Sequence, residues 1–288
     1  MGRDLLTNRT VIGVVAFVLL FLSGFAIHGH LGLYFNLAGF LIVVGGAAGA
    51  AYVAYGHERL TVVATVVLQS YRTEPKSPRE IVEILVNLAV KSRFEGILSL
   101  ENDEKETSII FLREALGLLV DGFDGEAIRS YLASEMNFFK LRREAFEQVL
   151  RAIADFLPAF GLVGSIVGMI GMLAGVGNTT IILAAVPVAL TSTLYGVVFA
   201  NFLILPFAAK LRERTNRELL LQKIIIEGMV AIESEMNPRL LERKLKSFLT
   251  PASRRGRLVS LKKIQERFKI DLVPGGKAKG TAPAVQKG

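Results

Sequence analysis

Long apolar stretches without a charged residue dominate this chain. Four of them contain no Asp, Glu, Lys or Arg, at residues 11–27, 37–55, 156–176 and 181–209. A helix needs about 20 mostly apolar residues to cross the hydrocarbon core of a membrane. The stretches meet that length, the first with its uncharged flanks. The pattern therefore predicts an all-α integral membrane protein with four transmembrane helices.

Two alternatives compete with this interpretation. Four uncharged runs are difficult to enclose in the core of a soluble chain of 288 residues, so buried soluble helices are disfavoured. The first run could be a signal peptide, but no small-x-small cleavage pattern lies between it and the second uncharged run at residue 37. We therefore expect the first run to remain in the protein as a span.

Basic residues in the flanking segments predict the orientation of the spans. The connections at 28–36 and 177–180 carry no Lys or Arg, whereas residues 56–155 carry 13 and the chain from Lys210 onward carries 19. Lys and Arg are enriched in cytoplasmic loops of membrane proteins. Both long segments and both termini are therefore expected in the cytoplasm.

The predicted organisation follows from the spans. We expect an N-terminal cytoplasmic segment at 1–10, a helical cytoplasmic domain at 56–155, cytoplasmic helices at 210–252 and a basic low-complexity tail at 253–288. Spans three and four have no helix breaker on their cytoplasmic sides, so both are expected to continue as long helices.

Three helices are predicted inside the cytoplasmic domain, the last of which begins near Gly125 and leads into the third span. Ser77 and Pro78 form a helix start before a periodic apolar run. A second helix is expected from about Lys105 to Val120, ahead of the turn DGFDG at 121–125.

The net charge of +8 is unevenly distributed. Residues 1–10 contribute +1, residues 56–155 contribute −4 and the chain from Lys210 contributes +11. A basic tail beside a membrane is attracted to anionic lipid, at about 1 kcal/mol per basic residue near the surface. We therefore expect membrane lipid as a partner and no nucleic acid.

Glycines recur at steps of three and four along the third span. Small residues at this spacing share one helical face and allow helix backbones to approach closely in lipid. The stripe predicts tight helix packing, either within the chain or between subunits. Its members are Gly161, Gly164, Gly168, Gly171 and Gly175.

Hydroxyl side chains cluster in the third and fourth spans. Ser165 lies on the third, and Thr191 and Thr193 lie in the middle of the fourth. Such hydroxyls can bond across helices, satisfy backbone groups near Pro, or line a path for water and cations. Helix packing and ion contact both remain open for these residues.

No carboxylate and no basic group lies within any predicted span. Proton relays in membranes normally use Asp, Glu or His, so an ion carried by this protein requires a titrating group from another chain. The chain has no Cys, no phosphate-binding loop and no nucleophile–base pattern, and its His28–His30 pair lacks a third ligand nearby. We expect no catalytic residue, no metal site and no cofactor other than a transported ion.

Four motifs give the chain a family resemblance. They are FLIVVGGAAGA at 40–50, PAFGLVGSIVGMIGML at 158–173, ALTSTLYGVVFANFLILPFAAKL at 189–211 and EGMVAIESEMNPRLLERKLKSFLTP at 227–251. Together with the order of the spans, they resemble the MotA family of flagellar-motor stator subunits. The resemblance covers about residues 10–255. An ExbB/TolQ-like energising subunit of an envelope complex is the alternative, because it shares the span chemistry but lacks the last motif.

The resemblance implies a specific assembly. MotA-like subunits form a ring of five around two copies of a single-span MotB partner, which supplies the ion-binding Asp. The complex lies in the bacterial inner membrane, conducts H⁺ or Na⁺, and turns a FliG-like rotor protein of the switch complex. The family is not enzymatic.

The resemblance also assigns roles to individual residues. RFEGILSLE places Arg93 and Glu101 at the positions that contact the rotor. Pro158 and Pro206 fall on the two prolines that act as coupling hinges in the family. Ser165 departs from both the Thr of sodium-driven members and the Ala of proton-driven members, so H⁺ and Na⁺ both remain open.

Overall fold

The computed structural model of the protein describes residues 2–27, 31–72 and 76–249. These ranges contain helices and short connections and no strand, which confirms the all-α class. His28, His30 and the tail at 253–288 lie outside the described residues. In chain order the α-helices are α1 Gly2–Ala26, α2 Leu37–Phe40, α3 Gly46–Arg72, α4 Pro78–Glu95, α5 Glu101–Glu106, α6 Ile110–Val120, α7 Gly125–Ala174, α8 Thr179–Val198, α9 Leu205–Glu233 and α10 Pro238–Lys246.

Two π-helical segments join consecutive α-helices without a break. Leu41–Gly45 connects α2 to α3, and Phe199–Ile204 connects α8 to α9. A π segment inserts an extra residue into a helical turn and commonly occurs near functional sites. The second one ends just before Pro206, which has no backbone N–H to give to an α-helical bond.

Three described stretches are long and apolar enough to cross a membrane. They are Leu37–Tyr71, Gly125–Ala174 and Thr179–Glu233. In α1 the described apolar stretch is shorter, Val15–Ala26. The first of these stretches, Leu37–Tyr71, changes direction at Gly56, where φ is 70° and ψ is 163°, one residue after the predicted end of the second span. The third and fourth predicted spans do continue as the long helices α7 and α9.

The chain divides into two compact units. The first contains residues 1–74 and 142–214, and the second contains residues 75–141 and 215–288. Packing in the first unit depends on small side chains such as Ala47, Ala154 and Ala200. This composition suits helices that approach closely in lipid.

The second unit has a conventional apolar core. Residues from α4, α6, α7, α9 and α10 bury their side chains together in it. Full burial of a Leu, Ile or Met side chain stabilises a fold by about 1.5–3 kcal/mol. Members with less than 2% exposure include Leu85, Leu112, Leu116, Ile128 and Met229.

Helix starts in this unit follow local chemistry. The Ser77 hydroxyl accepts a hydrogen bond from the backbone N–H of Glu80 at 3.2 Å, and Pro78 is the first residue of α4. At α10, the Asn237 side chain accepts from the backbone N–H of Arg239 at 3.0 Å. Both satisfy N–H groups that a helix leaves unpaired at its start.

The single helix predicted from about Lys105 to Val120 is wrong. The helix α5 ends at Glu106, Thr107 is extended with φ −71° and ψ 131°, and α6 begins at Ile110. The reason is burial, because the five core residues of α6 begin at Phe111, whereas α5 has no buried residue. The chain therefore breaks between α5 and α6, and of these two helices α6 alone contributes buried side chains to this core.

An ion triad joins three helices of the second unit. Glu227 on α9 pairs with Arg129 on α7 and, at 2.7 Å, with Lys244 on α10. The hydrogen bond from Arg129 is the largest cause that lowers the pKa of Glu227 to about 2, and Lys244 adds to it. The carboxylate therefore stays charged and paired at physiological pH.

Candidate functional site

The glycine stripe of α7 brings that helix into backbone contact with α8 of the same chain. A Cβ atom added to Gly168 would lie 2.5 Å from the backbone nitrogen of Ala189, and one on Gly161 would lie 3.1 Å from the carbonyl oxygen of Ser192. Real Cβ atoms essentially never approach closer than 3.0 Å. The stripe is therefore occupied within the chain. The remaining members face Ser192, Ala185 and Ile181, through Gly164, Gly171 and Gly175 respectively.

This close approach places two hydroxyls in contact. The Ser165 hydroxyl donates to the Ala189 carbonyl at 2.6 Å and lies 2.5 Å from the Thr193 hydroxyl. A serine hydroxyl has one proton to donate, so Thr193 is the donor in the bond between the two side chains. The lone pairs of Thr193 are then not used by Ser165. Since the Thr193 side chain is exposed in the single chain, they are available to a cation or to another chain.

Thr191 is placed apart from this pair. Its side chain is 4% exposed and donates to the Pro187 carbonyl at 2.7 Å. It lies beside Gly39 of α2, where an added Cβ would be 3.0 Å from its hydroxyl oxygen. Residues two positions apart on an α-helix point in directions that differ by about 200° around the helix axis. Thr191 and Thr193 therefore face different neighbours. The structure brings together Ser165 and Thr193 but not Thr191.

Ser192 forms a contact that the sequence did not single out. Its fully buried hydroxyl donates to the Val188 carbonyl at 2.7 Å. A Cβ atom added to Gly39 would lie 2.9 Å from the Ser192 hydroxyl oxygen, and one added to Gly164 would lie 2.4 Å from the same oxygen. Ser192 thus fills the space between α2, α7 and α8. The glycines opposite it were a usable sequence signal for this packing.

Tyr195 links α8 to the segment before α2. Its phenol oxygen accepts a hydrogen bond from the backbone N–H of Asn36 at 2.7 Å and donates to the carbonyl of Tyr34. The ring packs against Phe40 and Phe199. The start of α2 is therefore fixed on α8 by polar and aromatic contacts, which no local sequence pattern predicts.

Asn201 is an amide within the uncharged fourth span. Asn201 lies in the second π segment, and its side chain is exposed in the single chain. The side-chain amide donates to the Val197 carbonyl at 2.9 Å. It lies about two helical turns beyond Thr193. Analysis of charges alone overlooks it, whereas a search for any polar side chain in a span would have found it.

The two predicted hinge prolines occupy different settings. Pro158 lies inside α7, which is continuous, and a Cβ added to Gly196 of α8 would lie 3.0 Å from its Cα. Pro206 is the second residue of α9 and lies two positions after the last residue of the π segment, Ile204. Each removes one backbone bond from its helix. Their hinge role stays a prediction.

Arg93 and Glu101 lie at the ends of two successive helices in the second unit. Arg93 is in the last turn of α4 and Glu101 is the first residue of α5. Gly96 with φ 85° and a short 3₁₀ turn ending at the buried Leu100 connect them. Both charged side chains are exposed.

The two charges differ in their local partners. Lys105 bonds Glu101 at 2.7 Å and holds the pKa of that carboxyl below its ordinary value. No ion pair of Arg93 occurs within the described ranges. Glu101 is thus paired within its own helix, while the Arg93 guanidinium is open to a partner.

Metal and catalytic groups do not emerge from the described part of the chain. No three His, Cys, Asp or Glu side chains there come together as metal ligands. The spans themselves contain no charged residue. The polar groups of the predicted spans are hydroxyls, the amide of Asn201 and backbone carbonyls.

The described chain thus combines apolar helices long enough to cross a membrane with a closely packed helix pair that carries hydroxyls. Such a pair suits either helix packing or contact with an ion in a channel subunit. The comparisons with known proteins agree with a channel subunit. A sequence model of the MotA/TolQ/ExbB proton channel family matches residues 103–223. The chain belongs to this family and, within it, to the MotA group, which are channel subunits and not enzymes.

Individual relatives cover nearly the whole chain. It is 32% identical to "Motility protein A" of Treponema phagedenis, over 83% of this chain and 92% of that protein. It is 30% identical to "Chemotaxis protein PomA" of Vibrio alginolyticus, over 87% of this chain and 97% of that protein. The solved "Structure of C. jejuni MotAB" has a chain that matches with a TM-score of 0.78 at 26% identity, over 88% of this chain and 98% of that one.

Proposed function

We propose that this chain is a flagellar-motor stator subunit that forms, with a MotB-like single-span partner, an ion-conducting torque generator. Relatives of almost the same length have motility and chemotaxis names, which favours this function over an ExbB/TolQ-like energising subunit. The fold agrees with that of the MotAB complexes.

The observation that carries the proposal is the combination of polar oxygens and missing charge in the spans. Ser165 and Thr193 offer hydroxyl oxygens, and no Asp, Glu, Lys or Arg lies in any span. Ion transfer through a membrane normally requires a titrating group. The partner supplies that group as an Asp on its single span, opposite the exposed face of α8.

The transported ion passes along the Ser165–Thr193 pair in this proposal. The two hydroxyls and the carbonyls of Ala189 and Gly161 form a series of four neighbouring oxygens, the Gly161 carbonyl being 3.5 Å from the Thr193 hydroxyl. Hard cations prefer oxygen ligands, whereas a proton needs only the partner's carboxylate and water. The cluster therefore supports Na⁺ as the coupling ion.

The assembly follows the family arrangement. Five copies surround two partner spans, with α1 as the fourth membrane span and both termini in the cytoplasm of a bacterium. The large exposed apolar residues on α7, such as Leu162 and Ile166, suit contacts with lipid or neighbouring subunits in such a ring. The basic tail lies beside the anionic inner leaflet.

The second unit is the part that acts on the rotor. Arg93 and Glu101 are exposed on neighbouring elements and carry opposite charges, which suits a FliG-like surface that also carries both signs. The prolines Pro158 and Pro206 lie on the helices that also extend into this unit, α7 and α9, where they serve as coupling hinges.

Complementation tests the proposal. A bacterium without its own stators is expected to swim when it expresses this chain together with its single-span partner, and not with either alone. Speed is then measured against external Na⁺, with and without a proton uncoupler. Rescue of an envelope-transport defect, with no rescue of swimming, would establish the energising alternative instead.

A further inference from the structure

The short helix α5, which begins with Glu101, contributes no buried side chain to the core of its unit. It is six residues long and buries none of them. Helices this short are unstable by themselves, because nucleation is costly and only a few backbone bonds repay it. The direction of this helix must therefore be fixed by contacts at its ends or along its side.

One end of α5 is anchored by the residue before it. Leu100 is fully buried in the core of the unit, so the chain enters α5 at a fixed point. At the other end the chain becomes extended at Thr107. The Arg113 side chain of α6 donates to the Thr107 carbonyl at 2.7 Å, so both ends of α5 are held and a contact along its side sets its rotation about its own axis.

A side-chain ion pair attaches the side of α5 to α4. The ammonium of Lys91 on α4 lies 2.5 Å from a carboxylate oxygen of Asp103 on α5, and both side chains are partly shielded, at 28% and 35% exposure. Among the described residues this is the one hydrogen bond or ion pair that connects a side chain of α5 to another helix. By contrast, the bond between Lys105 and Glu101 stays within α5.

The two partners are unequal in rigidity. The helix α4 has seven residues in the apolar core, so Lys91 projects from a fixed element. Asp103 belongs to the helix without core contacts and lies two positions after Glu101. The ion pair therefore fixes the orientation of α5 on α4. It thereby sets the direction of the Glu101 side chain relative to Arg93.

We propose that Lys91 and Asp103 are positioning residues of the rotor-contact surface, which hold Glu101 in the orientation that engages the rotor. This inference rests on the rotor role proposed above for Arg93 and Glu101. Neither Lys91 nor Asp103 needs to touch the rotor itself.

The test is a charge swap in living motors. Torque per stator unit is read from the speed steps of a rotating bead as units join the motor, for Lys91→Asp, Asp103→Lys and the double variant. Exposed and partly exposed ion pairs are weak, so each single change is expected to lower torque about two- to fivefold, and the swapped pair to restore it. Single losses without restoration by the swap would overturn the proposal.

A matched control lies on the same helix. Arg79 and Glu83 form a pair at 3.5 Å within α4 and connect it to no other element. Reversing either of these charges is expected to leave torque unchanged. An equal loss in the control would show a general effect of charge, and this too would overturn the proposal.

Epistasis separates positioning from stability. In a Glu101→Ala background, Lys91→Asp is expected to cause no further loss, because the residue that it positions is gone. In an Arg93→Ala background the same change should lower torque as in the wild type. An equal further loss in both backgrounds would show that the pair only stabilises the unit.

The same data distinguish failure of the two proposals. If Glu101→Ala leaves torque unchanged, the rotor role of Glu101 is wrong, and the positioning role falls with it. If Glu101→Ala lowers torque but Lys91→Asp and Asp103→Lys do not, only the positioning role is overturned. Membrane abundance of each variant is measured by immunoblot, so that torque is compared at equal amounts of protein.

Discussion

The hydroxyl of Ser165 on α7 lies 2.5 Å from the hydroxyl of Thr193 on α8, and Ser165 gives its proton to the Ala189 carbonyl. Thr193 is therefore the donor to Ser165, which leaves its lone pairs free on an exposed face. An ion path formed by one chain and completed by another needs such outward-facing acceptors.

Replacing Ser165 by Ala removes the acceptor that orients Thr193. We expect the Na⁺ concentration for half-maximal swimming speed to rise about fivefold, since one hydrogen bond contributes about 1 kcal/mol. Ser23→Ala is the matched control, because that hydroxyl donates to its own helix at Leu20. An unchanged Na⁺ dependence together with full sensitivity to a proton uncoupler would assign H⁺ as the coupling ion.

Replacing Gly168 by Ala tests the contact between α7 and α8. The added methyl would lie 2.5 Å from the backbone of Ala189, which cannot move aside as a flexible side chain could. Overpacking of this kind costs about 1–3 kcal/mol, so the melting temperature of the purified protein should fall. Gly49→Ala is the control, because a Cβ added there would meet no atom of another described element within 4 Å. Equal melting temperatures for the two variants would contradict the packing described.

Charge reversal at Arg93 or Glu101 tests the rotor contact. Arg93→Glu and Glu101→Lys should each impair swimming, while membrane insertion and copurification with the partner stay normal because both side chains are exposed. Lys76→Glu, an exposed change just before α4, serves as the control. Normal swimming of the Arg93→Glu/Glu101→Lys double variant would remove both residues from the mechanism, unless the rotor charges had been reversed as well.

Glu227→Gln tests the ion triad of the second unit. The change weakens the bonds to Arg129 and Lys244, and loss of a charged hydrogen bond costs about 1–3 kcal/mol. The folded pKa of Glu227 is about 2, below its ordinary 4.5. Its contribution to stability is therefore complete above about pH 5 and is lost as the pH falls towards 2.

Melting temperatures measured across pH provide the readout for this triad. The gap between the wild type and Glu227→Gln should be constant at neutral pH and should narrow below about pH 4.5. Glu83→Gln, at an exposed pair, should show no comparable gap. A gap that persists unchanged at low pH would contradict the charged state assigned to Glu227.

Much of the fold follows from local sequence. The absence of charge identifies the spans, the steps of three and four between Gly161 and Gly175 identify a packing face, and Ser77–Pro78 identifies a helix start. These features are local because spacing along a helix decides them. The break at Thr107 was missed, since it depends on the core into which α6 turns.

The contacts of the candidate site could not be predicted from sequence, because they depend on how α7 is aligned against α8 in three dimensions. Sequence grouped Thr191 with Thr193, yet their positions around the helix send them to different neighbours. The contacts of Tyr195 with Tyr34 and Asn36, and of Lys91 with Asp103, connect residues distant in sequence. No periodicity within one helix reveals such pairs.

Ion flux into proteoliposomes tests the central claim most directly. The claim is that this chain contributes the lining of an ion path but not its titrating group, because its spans contain no charge. Flux of H⁺ and of Na⁺ is measured with dyes for this chain alone, with its single-span partner, and with a partner whose span Asp is changed to Asn. The account predicts flux above empty liposomes only with the unaltered partner. Equal flux from this chain alone would contradict it.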